Sequence, residues 1–272
     1  MATVAHAKNA RIYYDHLKVG EFANSFELAF TQDAAETTAF EDAGKTFKPG
    51  KYGHTGSFAG FLDLADNGFD ESEFADLVDG EHLILRCPQG TTLGYPAYET
   101  NEISTGTSRA ADIGNVVLIN WSGQGTDRAV RGAVLTSGEQ AITATGNTTG
   151  VEVGAASSTQ TMVITARVLA VSGTGSITIL PQGSSDDGGG DAYAAITGWT
   201  SSEVDPGTNV NISVADQLTF TGIGVGRLTR TGATEAYLRI NVSAFSTFTS
   251  VTLLVTAGIK GHHKPKPGHW RM

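Results

Sequence analysis

Three histidines near the end of the sequence are the first residues whose type could bind a metal. His262, His263 and His269 lie in the stretch GHHKPKPGHW. A zinc site needs three or four ligands that the fold holds in place, whereas the prolines of this stretch block helices and strand ladders. We therefore expect no metal site here, and no bound cofactor.

A second candidate for metal binding is an acidic segment rich in serine and glycine. Asp186, Asp187 and Asp191 lie in the sequence SSDDGGGD. The spacing of a calcium-binding EF-hand loop, D-x-D-x-D-G, is absent, and Ser, Asp and Gly are residues that turns prefer. The segment predicts a turn between strands, with calcium binding left open as the alternative.

Catalysis by a nucleophile would need an activated cysteine or serine. Cys87 follows the apolar run HLILR and precedes Pro88, which predicts a buried strand and an inert thiol. It is the only cysteine, so no internal disulfide can form, as in proteins that mature in a reducing cytosol. No Gly-x-Ser-x-Gly, His-Glu-x-x-His or P-loop motif occurs. These observations predict that the protein is not an enzyme.

The elements that must position these residues are predicted to be mostly strands. The chain has 272 residues, of which 34 are glycine and only 17% are charged. This composition favours β-structure with many turns over helices. No apolar run reaches the ~20 residues that a membrane helix needs, and no secretory signal pattern is visible. We predict a mainly β protein with a minor helical part.

One segment has the pattern of a short helix, which we predict over residues 70–80. Asp70 can cap this helix, Glu73 follows three residues later, and Gly80 ends it. A helix of two to three turns is stable only when it docks on a larger surface. The side chains expected to dock on the neighbouring sheet are Phe74, Leu77 and Val78.

Residues 24–63 are the stretch around which the rest of the chain is organised. The stretch opens with NSFELAF, in which large apolar residues alternate with charged or small ones, the period of two expected of a half-buried strand. A second alternating run follows over residues 54–63. Between the two runs we predict a long polar and acidic loop from Thr31 to Lys48. Loops of this length are usually functional or ordered by a partner.

The same stretch resembles the tail tube (major tail) proteins of long-tailed bacteriophages. In that family a strand reading S-x-x-L leads into an acidic loop with Thr-x-Phe and a small/acidic pair. Lys-Thr, Pro-Gly and a strand that ends in Gly-Phe plus an acidic residue follow. The matching residues here are Ser25, Leu28, Thr38, Phe40, Glu41, Asp42, Lys45, Thr46, Pro49, Gly50, Ser57, Gly60, Phe61 and Asp63. The predicted helix also lies where the tail tube fold has its flanking helix.

The resemblance implies a fold and two sets of contact residues. The fold would be a tail-tube-like β-sandwich or half-barrel with one short flanking helix. Its subunits would form stacked hexameric rings in which the inner strands join into a continuous barrel. The predicted loop would contact the adjacent ring through Thr31, Gln32, Asp33, Glu36, Thr38, Phe40, Glu41, Asp42 and Lys45. The wall of the lumen would include Ser25, Glu27, Thr55, Ser57 and Asp63.

Excess negative charge is confined to this part of the chain. Residues 21–80 hold 13 Asp and Glu but only three Lys, a local net charge of −10 that equals the net charge of the whole chain. A basic patch for nucleic-acid binding is therefore not predicted. The acidity fits a lumen through which DNA passes without specific binding, as the resemblance implies, while the solubility of a solvated face accounts for most of these charges.

The second half of the sequence predicts another β-sandwich, of jelly-roll or immunoglobulin-like type. We expect a tail-tube-like domain with an N-terminal arm over residues 1–138, a linker or edge region over 139–160, a sandwich module over 161–259 and a basic extended tail over 260–272. The basic residues of this tail, which would dock on a neighbouring subunit or be disordered, are Lys260, Lys264, Lys266 and Arg271. The module resembles the C-terminal β-module of some actinobacterial phage tail tube proteins at Ser185, Asp187, Gly188, Tyr193, Trp199 and residues 236–240.

Two functions from different classes follow. The first is a structural virion protein of the phage tail, assembled in the host cytoplasm, whose partners are copies of itself and other tail proteins and which binds no membrane. The alternative is a binding or adhesion module of a virion or cell surface that recognises a glycan or a protein. The alternative predicts a cluster of exposed aromatic side chains around Tyr193, Trp199 and Tyr237.

Overall fold

The computed structural model describes residues 7–37, 45, 47–62, 68–76, 80–111, 116–204 and 209–261. In these residues the chain forms antiparallel strands almost throughout, so the expected mainly β fold is confirmed. The helical elements of the described ranges are one α-helix, α1 (Phe69–Asp76), and two 3-10 turns at Ala7–Asn9 and Val19–Glu21. No helix in the described part of the chain is both long and apolar enough to span a bilayer.

The strands vary widely in length, from two to fifteen residues. In chain order they are β1 (Arg11–Tyr14), β2 (Ala23–Glu36), β3 (Phe47–Phe61), β4 (Glu81–Cys87), β5 (Pro96–Ala110), β6 (Leu118–Gly125), β7 (Val130–Val134), β8 (Gln140–Ile142), β9 (Gly146–Asn147), β10 (Val151–Glu152), β11 (Thr161–Ser172), β12 (Ser176–Ser184), β13 (Ala194–Ala195), β14 (Thr200–Glu203), β15 (Val210–Asn211), β16 (Leu218–Phe220), β17 (Gly224–Thr231), β18 (Tyr237–Ser246) and β19 (Ser250–Lys260).

The chain divides into two compact units. The smaller unit consists of Phe22–Glu81 and Thr100–Ala129, and the larger unit contains Met1–Glu21, His82–Glu99 and Val130–Met272. This division differs from the expected domain boundary at residue 138. It differs because strands far apart in sequence pair with one another, and the alternation along one strand does not reveal its partner.

Residues 130–160 show how such pairing assigns a segment to the larger unit. β7 pairs with β19 from Val130 opposite Lys260 to Val134 opposite Thr256. The region expected as a linker or edge contributes three short strands: β8 pairs with β19, and both β9 and β10 pair with β18.

The smaller unit is a four-stranded antiparallel sheet with α1 on one face. The strand order is β5-β6-β3-β2. Two glycines of β6 make room for large side chains on the helix-covered face. A methyl group at Gly123 would overlap the ring of Trp121, and one at Gly125 would overlap the ring of His54. The sequence of β6, LINWSGQG, thus combines one large aromatic residue with glycines that leave space beside it.

The larger unit is a sandwich of two antiparallel sheets. One sheet has the order β14-β17-β11-β19-β7-β5, with β8 also paired to β19 and β4 paired to both β5 and β1. The other has the order β10-β18-β12-β16-β15, with β13 paired to β12 and β9 to β18. One apolar core contains buried residues of both sheets, among them Ile164, Ile179, Leu238 and Leu253. The regularly spaced short strands of residues 161–259 predicted a sandwich here, whereas β1, β4, β5 and β7, which also belong to it, were expected in the first domain.

A buried carboxylate joins several strands of the larger unit. Glu99 of β5 accepts hydrogen bonds from the hydroxyls of Thr165 (2.5 Å) and Thr256 (3.2 Å). Its carboxylate also pairs with the guanidinium groups of Arg167 (3.1 Å) and Arg227 (3.0 Å). Burial alone would raise the pKa of Glu99, but the two arginines outweigh this effect and hold the pKa below its ordinary value.

Candidate assembly surfaces

Small polar side chains line the open face of the smaller unit's sheet. Because successive residues of a strand point to opposite faces, the register decides which side chains share this face. Read across β2, β3 and β6, the rows are Ser25, Ala59 and Asn120, then Glu27, Ser57 and Ser122, then Ala29, Thr55 and Gln124. A cavity of about 570 Å³ lies over the first two rows. Among the described residues of these rows, Glu27 is the one charged side chain.

Four of the five side chains predicted for the lumen wall share this open face. They are Ser25, Glu27, Thr55 and Ser57; Asp63 lies outside the described residues. Ser25, Glu27 and Thr55 are exposed and Ser57 is half-buried. Their common orientation follows from the period of two that was read from the sequence, while their place in a lumen stays a prediction.

The opposite face of the sheet is apolar and covered by α1. Phe69, the first residue of the helix, is fully buried and packs edge-on against Phe58, with 5.0 Å between the ring centroids. Phe58 in turn stacks on Trp121 at 5.3 Å. The prediction that Phe74 docks on the sheet is wrong, because its side chain is 70% exposed. The other two residues predicted to dock, Leu77 and Val78, lie outside the described residues.

The second anchor of α1 is a buried carboxylate rather than a hydrophobic side chain. Glu73 lies one helical turn after Phe69 and so shares its face. Its carboxylate accepts hydrogen bonds from the hydroxyls of Ser104 (2.5 Å) and Thr107 (2.7 Å) and from the indole N–H of Trp121 (3.1 Å). A helix with an apolar anchor and a fully satisfied polar anchor has a fixed orientation on its sheet.

The described ends of the predicted loop between β2 and β3 are paired strands. Thr31, Gln32, Asp33 and Glu36, which were expected in the loop, belong to β2, whose pairing with β3 continues to Glu36 opposite Phe47. The loop prediction is therefore wrong for these residues, because polar side chains are compatible with an exposed ribbon. Lys45 is exposed and its ammonium lies 3.3 Å from the Glu36 carboxylate. The remaining loop candidates, Thr38, Phe40, Glu41 and Asp42, lie outside the described residues.

The outer part of this hairpin extends beyond the four-stranded sheet. β6 pairs with β3 only from Thr55 to Phe61. We call the outer part the hairpin arm; it consists of residues 30–36 and 47–54. Isolated two-stranded ribbons are marginally stable in water, so the arm is the part of the smaller unit in which a partner would contribute most to stability.

Three exposed aromatic side chains lie on one face of the hairpin arm. Phe30 and Tyr52 stack at 5.9 Å between centroids, and Phe47 lies farther out along the same face. The shared face results from a bulge: Gln32 pairs with Tyr52 but Ala34 pairs with Pro49, so β3 has one extra residue there. An extra residue reverses the alternation. Without the extra residue, Phe47 and Tyr52 would point to opposite faces of the ribbon.

The other end of the same sheet also has an exposed apolar group. Phe61, the last residue of β3, lies directly opposite Leu118, the first residue of β6. Leu118 in turn lies opposite Ala110, and Val116 precedes the strand nearby. We call these four side chains the apolar row. The row is on the open face, next to the polar rows already described.

The acidic segment SSDDGGGD is a turn whose carboxylates bind groups of the chain itself. Asp186 accepts hydrogen bonds from the backbone N–H groups of Gly190 (2.5 Å) and Asp191 (3.1 Å), and these bonds lower its pKa. The hydroxyl of Tyr193 donates to Asp187 at 2.6 Å. In the described part of the chain, no group of three or more His, Cys, Asp or Glu side chains could hold a metal ion.

The aromatic cluster expected by the binding-module alternative is not formed. Trp199 is buried in the core of the larger unit. Tyr193 is half-buried, and the guanidinium of Arg239 lies over its ring at 4.2 Å from the centroid. Aromatic platforms for glycans need exposed ring faces, whereas Trp199 is buried, Arg239 covers the ring of Tyr193, and Tyr237 is half-buried.

The remaining predictions concern a cysteine expected to be inert and basic residues expected in an extended tail. Cys87 is fully buried, and burial raises the pKa of its thiol to about 12. Lys260 belongs to β19, opposite Val130, and not to an extended tail as predicted. The other basic residues of the tail, Lys264, Lys266 and Arg271, and the three histidines of the same stretch lie outside the described residues.

No protein-family model matches the sequence, and no curated protein matches it either. Solved structures share parts of the fold at low identity. A chain from the virion of a native gene transfer agent particle is 15% identical with a TM-score of 0.38, and the match covers 48% of this chain and 100% of that one. A chain of the SPP1 tail tube is 11% identical with a TM-score of 0.39, covering 47% of this chain and 78% of that one.

The SPP1 Dit protein, described as part of a phage hub adsorption apparatus, matches over a longer range. It is 9% identical with a TM-score of 0.33, and the match covers 92% of this chain and 98% of that one. At such TM-scores the overlap in fold is partial. Any function assigned to this chain must therefore rest on its own residues.

Proposed function

We propose that the chain is a self-assembling structural subunit of a phage-type tail and that its smaller unit forms part of the wall of a tube. The observation that supports this proposal is the difference between the two faces of one sheet. One face is buried beneath α1 and carries Phe58 and Trp121, and the other is open and mostly small-polar, with the apolar row at one end. An antiparallel sheet can keep one face in water, and the wall of a water-filled channel needs such a sheet.

The charge of the open face suits the passage of DNA without binding. Its rows contain hydroxyl and amide side chains and the carboxylate of Glu27. Repetition around a ring would turn that single carboxylate into a ring of negative charges, which repels phosphates. Tight binding to DNA would instead need several Lys or Arg side chains facing the backbone.

The edges of the sheet provide a way for copies to join laterally. In the described residues β2 pairs with β3 alone, so one edge of this 14-residue strand is available. On the other side of the sheet, β5 is not an edge, because it pairs with β4 and β7 as well as with β6. Exposed edges are templates for pairing with another chain, and pairing around a closed ring would produce a barrel without edges.

Electron microscopy of the purified protein at high concentration tests the proposal directly. Negative staining should show rings or hollow tubes with a central channel. In a virion such tubes would belong to the tail, assembled in the host cytoplasm with other tail proteins as partners. Monomers at every concentration, also after addition of tail-tip proteins as initiators, would refute the proposal.

Two proline variants test the lateral contact. Neighbouring residues of an edge strand direct their N–H groups alternately to the partner strand and outward, so one of Glu27→Pro and Leu28→Pro removes only an outward N–H. That variant should unfold at the same urea concentration as the wild type but form no rings. Its neighbour, which loses a ladder bond, is the matched control and should be less stable. If the variant that is as stable as the wild type still forms rings, pairing between copies through β2 is refuted.

The binding-module alternative is not favoured. Its central aromatic residue, Trp199, lies in the core. We also infer a structural rather than an enzymatic role, because the titratable side chains described above hold α1, the strands of the sandwich and the acidic turn.

A further inference from the structure

The outer face of strand β18 carries an arginine that its neighbours hold in place. Leu238 and Ile240 of this strand point into the apolar core, so Arg239, which lies between them, points to the outer face. The guanidinium of Arg239 lies over the ring of Tyr193 at 4.2 Å from the centroid. Its Nε–H donates to Oε1 of Gln182, the residue directly opposite on β12, at 2.7 Å. The side chain of Arg239 is therefore oriented before any partner binds.

The tyrosine beneath Arg239 is itself fixed by the acidic turn of residues 184–191. The Tyr193 hydroxyl donates to Oδ1 of Asp187 at 2.6 Å. A methyl group at Gly150 would overlap the same hydroxyl, so the backbone of Gly150 packs directly against it. A guanidinium on a fixed ring loses little conformational freedom when it binds a ligand, and this pre-organisation favours affinity.

The terminal NH₂ groups of Arg239 are available to a ligand. A guanidinium has five N–H groups, and in the described part of the chain only the Nε–H of Arg239 has an acceptor. Arg230 provides a comparison within the same unit, since its guanidinium donates to the backbone carbonyls of Thr197 and Ala233. A fixed guanidinium with its terminal groups available matches the two oxygens of a carboxylate or a phosphate.

The charges near Arg239 favour one of these two oxyanions. Asp187 is linked to Arg239 through the Tyr193 ring, and Asp186 and Asp191 belong to the same turn. Their negative charges repel a phosphate dianion more strongly than a carboxylate, which has a single charge. We therefore expect a carboxylate as the ligand.

The next row on the same face offers groups that suit a peptide. Asn241 lies two residues after Arg239, and Asn147 and Leu180 lie opposite it. Nδ2 of Asn241 donates to Oδ1 of Asn147 at 2.7 Å. Among the described residues, the remaining amide oxygen and amide nitrogen of this pair have no partner, and they complement the N–H and C=O of a peptide backbone. A sugar would need an exposed aromatic ring, whereas Arg239 already occupies one face of the Tyr193 ring.

We propose that the outer face of β18 binds a protein partner through an acidic side chain, whose carboxylate forms a bidentate ion pair with Arg239. The adjoining peptide backbone of the partner lies along the row of Asn147 and Asn241. Arginine and tyrosine are enriched among the residues that contribute most to protein interfaces. The site belongs to the larger unit, to which the proposed function assigns no role, so this inference goes beyond that function and does not depend on it.

An NMR titration of the full chain tests the site, at a dilution at which the chain is unassembled. The probe is the peptide acetyl-Gly-Glu-Gly-amide, and the comparison peptide has Gln in place of Glu. The Nε resonance of Arg239, assigned by its absence from Arg239→Lys, should shift with the Glu peptide and not with the Gln peptide. The Nε resonance of Arg230 should not shift with either peptide.

Three variants separate the planar guanidinium from its charge and from its platform. Their affinities are measured from the side-chain amide resonance of Asn147. Arg239→Lys keeps the positive charge but loses the bidentate geometry, so the affinity for the Glu peptide should fall about tenfold. Arg230→Lys is the matched control and should bind like the wild type. Tyr193→Leu removes the platform and should bind several-fold more weakly, with the urea midpoint as the check that it is folded.

Each outcome supports or overturns the proposal. A shift of Arg239 that requires both the Glu side chain and the guanidinium supports it. Equal shifts with the two peptides, or equal affinity of Arg239→Lys, overturn the carboxylate contact. Sodium glucuronate is the third probe: if it binds more tightly than the Glu peptide, the ligand is an acidic sugar and the protein partner is overturned. No shift with any probe overturns the site and leaves the proposed function standing.

Discussion

Removal of the negative charge of Glu99 should strongly destabilise the larger unit. Glu99→Gln keeps the size of the side chain but leaves Arg167 and Arg227 without their shared carboxylate. Arg167 is completely buried, whereas Arg227 retains 14% of its side-chain exposure. The free energy of unfolding should therefore decrease because a buried positive charge loses its counter-charge.

The expected magnitude follows from burial. Breaking a buried ion pair by removing one partner costs about 3–5 kcal/mol, and the partial exposure of Arg227 places the expected loss near the lower end. The matched control is Glu21→Gln. Glu21 pairs with Lys18 at 3.0 Å, but its side chain is 69% exposed, and exposed pairs contribute about 0–1 kcal/mol.

Urea unfolding of dilute, unassembled protein at several pH values gives the measurement. The pKa of Glu99 is lowered in the folded state. Its contribution is therefore present above the ordinary pKa of glutamate and is lost as the pH falls through the folded pKa. The difference between wild type and Glu99→Gln should be largest near pH 7 and shrink below about pH 4. A difference below about 1 kcal/mol at pH 7, or one that does not change with pH, would refute this reasoning.

Three further predictions concern buried groups. Glu73→Leu should lower the free energy of unfolding by about 2 kcal/mol, because the buried indole N–H of Trp121 and two half-buried hydroxyls lose their acceptor; an unchanged urea midpoint would contradict the role of Glu73 in docking α1. Cys87 should resist alkylation at pH 8 in the folded protein and react only after denaturation, since burial raises its pKa to about 12; rapid labelling of folded protein would show that the thiol is accessible. Gly132→Ala should cost about 2 kcal/mol, because its methyl would overlap the carbonyl oxygen of Ala257, whereas Gly146→Ala, which has open space, should be tolerated in the same urea titration.

The shared face of the polar wall residues was predictable because alternation is a local property. Once Ser25 and Glu27 are placed on one side of a strand, no distant contact is needed to know that they point the same way. The observed pairing of β3 with β6 shows that Asn120 and Ser122 lie on the same face. Nothing in the sequence indicated which residues of β6 would lie opposite which residues of β3.

Docking of the helix was predicted with the wrong side chains for a physical reason. The expected helix began at Asp70, which directed attention to Phe74 as the first large apolar residue. The observed helix begins at Phe69, whose ring is buried, and Glu73 follows on the same face. A buried glutamate is rare unless it is fully hydrogen-bonded, and its three donors come from β5 and β6, which lie at least 31 residues away in sequence.

The aromatic face of the hairpin arm shows most clearly what a sequence pattern cannot contain. In an unbroken strand, residues 47 and 52 point to opposite faces, and Phe47 would then lie apart from Tyr52. The extra residue of β3 near Gly50 reverses the alternation, and Gly50 suits this position because a methyl group there would press on Asp33 at 2.9 Å. The Pro49-Gly50 pair lies at this bulge, within a strand that is paired on both sides of it. One inserted residue thus gathers three aromatic side chains on one face of the hairpin arm.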